Sequence, residues 1–141
     1  MTTRYLRPRC DMTYEITSDG FHLFEVCDLR VATIDKGFEK LCHVYQQADP
    51  REGVKLCVVL KVGSLAHITY AIQNLTSLVN ELGDSFPTSF YAIVYAPTSN
   101  VTALKPFLHL LCNRSPITVA YFSSEEKHAA LAWLAKQNTS D

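Results

Sequence analysis

The chain contains no C-x-x-C pair, G-x-S-x-G elbow, P-loop or G-x-G-x-x-G turn. Their absence removes the commonest sequence-level grounds for a redox dithiol, a serine hydrolase, a nucleotide hydrolase or a dinucleotide-dependent enzyme. Charge of one sign is also missing. Thirteen basic and 14 acidic residues leave a net charge of −1, so no bulk attraction to nucleic acid or to an anionic membrane is expected. The apolar runs are of strand length, far short of a membrane span. Arg4, Arg7 and Arg9 are followed by the mixed segment Cys10-Asp11-Met12-Thr13 rather than by an apolar stretch of secretory type. Linkers, low-complexity tracts and internal repeats are absent too, so residues 1–141 read as one domain with its core at about 12–137.

What is present is ordinary globular composition, 48% hydrophobic and 19% charged. A chain of this length buries roughly 68–70% of its unfolded surface and needs no disulfide or structural metal to hold a core. The five cysteines, Cys10, Cys27, Cys42, Cys57 and Cys112, are odd in number. Cys27 and Cys57 fall inside strand patterns and Cys42 on a helical stripe. All five are expected to be unpaired thiols, which places the protein in a reducing cytoplasm without metal or cofactor.

The hydrophobic period changes along the chain in an informative order. Tyr14–Thr17 and Phe21–Cys27 are β-rich runs joined by Ser18-Asp19-Gly20, a hairpin signal. The first predicts an edge strand and the second, apolar on both faces, an interior one. Val31, Ile34, Phe38, Leu41 and Tyr45 make one face of a helix. Val54–Leu60 reads as a strand covered on both sides. Leu65, Ile68, Ile72, Leu75, Val79 and Leu82 mark a second helix, with Ser64 as its N-cap and Gly83 as its stop. A strand over Phe90–Tyr95 follows, then a helix carrying Val101, Leu104, Leu108 and Leu111, with Pro106 at its start or at a kink. Ile117–Phe122 is the last strand. Ser123 and Glu126 form a capping box before a closing helix with Ala130, Trp133 and Leu134 on its core side. The order β-β-α-β-α-β-α-β-α predicts an α/β fold: a single five-stranded mixed, mostly parallel sheet with four helices.

With these elements in place, the chain resembles the STAS-domain class, the fold of anti-sigma-factor antagonists, and within it the SpoIIAA-like branch of small bacterial proteins. The resemblance is carried by Val119-Ala120-Tyr121-Phe122, by Ser123-Ser124-Glu125-Glu126 and by Ala130-Leu131-Ala132-Trp133-Leu134. It implies a non-enzymatic regulatory domain that docks on a protein partner or on a second copy of itself. Antagonists of that class are phosphorylated on the serine of an Asp-Ser-x-Gly sequence at the start of the second helix. Here the region reads Lys61-Val62-Gly63-Ser64-Leu65-Ala66-His67, so the phosphoserine switch is not expected.

The histidines show no metal-ligand spacing. Ligands of open α/β sheets bind outside the carboxyl ends of the parallel strands. Three segments converge there: Asp28-Leu29-Arg30, Val62-Gly63-Ser64 and Ala96-Pro97-Thr98-Ser99. Asp28, Arg30, Gly63, Ser64, His67, Thr98 and Ser99 are therefore the candidate partner or ligand surface. These segments are rich in hydroxyls and backbone donors and poor in catalytic groups, which suits recognition better than acid–base chemistry. A carrier of a small apolar or anionic ligand is the alternative to the interaction domain.

Overall fold

The computed structural model describes residues 12–49, 51–61, 67–96, 106 and 116–137. Strand β1 (Met12–Ile16) turns back into β2 (His22–Val26). Gly20 sits at φ 86°, and the turn is closed by Thr17 N–H to Phe21 C=O and by Gly20 N–H to Thr17 C=O. A glycine meets that left-handed backbone without a Cβ clash. The chain continues as α1 (Val31–Gln47), β3 (Val54–Leu60), α2 (Ile68–Leu82), a 3-10 turn (Gly83–Ser85), β4 (Ser89–Tyr95), β5 (Ile117–Ser123), a second 3-10 turn (Ser124–Glu126) and α3 (Lys127–Lys136).

The five strands form one sheet in sequential order, β1 antiparallel to β2 and the remaining neighbours parallel. The α/β class, the edge and interior assignments of β1 and β2, and the parallel run are as the hydrophobic pattern predicted. Among the described residues there are three α-helices rather than four. The helix expected around Val101, Leu104, Leu108 and Leu111 falls outside the described residues.

The pleat separates two cores. On one face Phe24, Leu56, Leu60, Tyr91 and Ile93 pack under α1 and α2. On the other, Phe21, Leu23, Cys57, Phe90, Ala92 and Val94 pack under α3 through its fully buried Ala130 and Leu134. β3 and β4 are buried on both faces, as parallel strands between helical layers must be. Two helix ends follow the sequence signals. Gly83 caps α2 at φ 52°, and Ser123 N–H donates to Glu126 Oε1 at 2.9 Å within a complete capping box. Two stripe residues do not. Val31 is 41% exposed. Trp133 is only half-buried, its ring lying edge-on to Phe90 and tilted against Phe122.

Candidate functional site

The start of α2 departs from the sequence reading. Its N-cap position is taken by His67, three residues after the expected Ser64, and no side chain caps the helix. His67 has φ 67° and ψ 14°, a left-handed backbone that a non-glycine residue adopts at a cost of about 1–2 kcal/mol. Its Nδ1 lies 3.2 Å from the carbonyl oxygen of Leu29. A carbonyl only accepts, so Nδ1 carries the proton and donates. Of the other expected surface residues, Gly63, Ser64, Thr98 and Ser99 lie outside the described residues.

Asp28 and Arg30 are described, and they meet. Thr33 Oγ1 donates to Asp28 Oδ1 at 2.6 Å, Arg30 N–H to the same oxygen at 3.0 Å, and the Arg30 guanidinium approaches Oδ2 at 3.1 Å. The Thr33 hydroxyl, then Arg30, hold this carboxyl down to about 2. The three donors close the loop between β2 and α1. His67 reaches the loop that carries Asp28 and Arg30 through the Leu29 carbonyl, while Asp28 and Arg30 are paired with each other.

The larger feature was not foreseen. Between α1, α2 and the sheet lies a cavity of about 180 Å³, partly open to solvent. Phe24, Val58 and Ile93 contribute from the sheet, Ile34 and Phe38 from α1, and Ile72 and Leu75 from α2. Of the 18 described residues that line it, Thr33 and Tyr91 carry a polar side chain. The Thr33 hydroxyl is committed to Asp28. That of Tyr91 lies 2.7 Å from Tyr45 Oη. Tyr45 Oη is in turn 2.6 Å from Ser89 Oγ, which donates to Pro87 C=O. Each hydroxyl has one proton, so the order is fixed: Tyr91 donates to Tyr45, Tyr45 to Ser89, and Ser89 to the backbone. Burial pushes the Tyr45 phenol up to about 12. It remains a neutral hydrogen-bonding group.

No protein-family model matches the chain, and no curated protein or solved structure is significantly similar to it.

The remaining chemistry is sparse. Among the described residues no group of three or more His, Cys, Asp or Glu side chains could hold a metal. Cys57 is fully buried and free, its thiol raised to about 11 by desolvation, so it is inert as a nucleophile. Cys27 corrects an expectation: it is disulfide-bonded, and it sits just after β2 rather than inside it. Cys42 and Cys57 are free. Disulfides are rare in a reducing cytoplasm, and the placement there, argued from free thiols, loses that support. Among the described residues no helix is long and apolar enough to cross a membrane.

Two signals for the cavity were present in the sequence. Gly37 lies in the middle of α1, where glycine costs about 1 kcal/mol relative to alanine, and it lines the cavity. The stripes of α1 and α2 are both apolar at Phe38, Ile68 and Ile72, yet these three side chains are only half-buried. Periodicity shows which faces are apolar; it does not show that two such faces stand apart.

Proposed function

We propose that this domain binds a small apolar molecule between α1, α2 and the sheet. The observation that carries the reading is the cavity of about 180 Å³ with almost wholly apolar walls. Protein interiors pack at crystal-like density and keep few voids larger than a water molecule. Water is a poor occupant, since a buried water needs two to four polar partners. An engineered apolar cavity of about 150 Å³ stays dry and binds benzene. The matching ligands here are a one- or two-ring hydrocarbon or a medium-length alkyl chain. An apolar ligand is favoured over an anionic one, because the described walls are almost wholly apolar and carry no charged side chain.

Nothing in this reading calls for catalysis. The regulatory reading, with a protein partner or a second copy docking near Asp28, Arg30 and His67, ranks second. It rests on topology and on the STAS resemblance, without a shaped surface among the described residues.

The test is titration with naphthalene and n-butylbenzene, followed through the methyl NMR signals of Ile34, Ile72 and Ile93 and by thermal shift. Binding is expected to move these three signals while leaving that of Ile117 in place, and to stabilise the protein by about 2.7 kcal/mol at a ligand excess of 100 Kd. The substitution Ala71→Leu fills the void from α2. It is expected to abolish binding while keeping the fold. A wild-type protein whose signals and melting point ignore both compounds refutes the reading.

A further inference from the structure

The cavity has walls of unequal strength. Its floor is the sheet, where β1 to β4 are joined by continuous backbone hydrogen bonds. Leu41, Leu75 and Tyr91 also line the cavity, and Tyr91 is held by the directional chain through Tyr45 to Ser89. The outer wall is the seam between α2 and α1 with the loop that leads into it, and side-chain hydrogen bonds from Tyr70 and His67 cross it among the described residues. Tyr70 Oη on α2 donates to Asp35 Oδ1 on α1. His67 Nδ1 donates to Leu29 C=O. Both are exposed to solvent.

Their positions relate directly to the cavity. Asp35 follows the lining residue Ile34, and Tyr70 precedes the lining residue Ala71. Leu29 lines the cavity itself, and His67 precedes the lining residue Ile68. Each bond therefore ties together chain segments that both carry wall residues. Water offsets most of the loss when an exposed hydrogen bond opens, so such a bond opens far more readily than a sheet ladder or a packed core. The first turn of α2 is held lightly as well, because it begins at a left-handed residue with no side-chain cap.

We infer that the seam between α1 and α2 is the entrance of the apolar site, with Tyr70–Asp35 and His67–Leu29 as the two latches that set how fast a ligand enters and leaves. This rests on the ligand-binding reading above. Opening parts the N-terminal half of α2 from α1 and leaves the sheet and the Tyr45 network unchanged. A ligand too long for the cavity would emerge at this seam.

The experiment measures naphthalene exchange by NMR line shape in the wild-type protein and in Tyr70→Phe, Asp35→Ala and the double variant. Loss of one latch is expected to raise the exchange rate by about five-fold, the factor that accompanies one net hydrogen bond, with Kd changed less than about two-fold. The double variant should exchange no faster than either single one, because both remove the same bond. His67→Gly, which keeps the left-handed backbone without strain, should accelerate exchange independently. Wild-type binding with unchanged exchange in all variants overturns the entrance and leaves the site standing. A Kd that weakens in step with the rate also overturns it, since Tyr70 would then be holding the ligand rather than the door. Failure of the wild-type protein to bind overturns both readings.

Discussion

Tyr45 and Tyr70 carry the same side chain and do different work, and the difference is burial. Tyr45 is 5% exposed and sits in the middle of an ordered hydroxyl chain, accepting from Tyr91 and donating to Ser89. Its removal leaves the buried Tyr91 donor without this acceptor and the Ser89 oxygen without this donor. Tyr45→Phe is therefore expected to lower stability by about 1–3 kcal/mol in urea unfolding, with the m-value unchanged. A loss below about 0.5 kcal/mol would mean that the neighbours re-pair. Tyr70 is half-buried on α2, and its partner Asp35 is exposed, so water can take over when the bond opens. The hydrogen-bond partners were not legible in the sequence. The helical stripe places Tyr45 on an apolar face and Tyr70 off one, but it says nothing of their hydroxyl partners, which lie 35 to 46 residues away in sequence.

At the scale of the element, α1 and α2 show how far periodicity reaches. The stripe Ile34, Leu41 and Tyr45 is buried as its spacing implies, and Leu75 and Val79 on α2 likewise. Gly37 is the exception inside α1. It does not require positive φ, and a Cβ there would lie 3.3 Å from Met12 Sδ, the end of a flexible side chain. Gly37→Ala gains helix propensity of up to about 1 kcal/mol against a contact that Met12 can relieve by shifting. We expect a net gain of about 0.5 kcal/mol in thermal or urea unfolding and a slightly smaller cavity. A net loss would show that α1 needs the bare backbone for its approach to β1. The boundary of α2 was misplaced for a local reason. Ser64 is a good capping residue type, but type alone does not reveal that His67, held by Leu29, takes the capping position.

Across the whole molecule, the cysteines separate the sequence reading from the structure most clearly. Free thiols were expected throughout, yet Cys27 is bridged while Cys42 and Cys57 are free. With five cysteines in the chain and Cys27 bridged, thiol titration in denaturant is expected to find fewer than five reactive groups before reduction and five after it. Five groups before reduction would show that the bridge does not form in the isolated protein. Spacing could not have anticipated the pairing, because a disulfide depends on two Cα atoms lying within about 7 Å after folding.

The sequence by itself determined the α/β class, the hairpin at Asp19-Gly20, the strand that is buried on both faces over Val54–Leu60, the stop at Gly83 and the capping box at Ser123. All of these arise from interactions within a few residues or from a repeating period, which a linear pattern records. Only the tertiary structure decided that α1 and α2 stand off the sheet around an apolar cavity, that Tyr91, Tyr45 and Ser89 form one proton-ordered chain, and that His67 and Tyr70 bridge the seam. Those features depend on the distance between faces brought together from different parts of the chain, and apolar side chains declare which way they face without declaring how closely they meet.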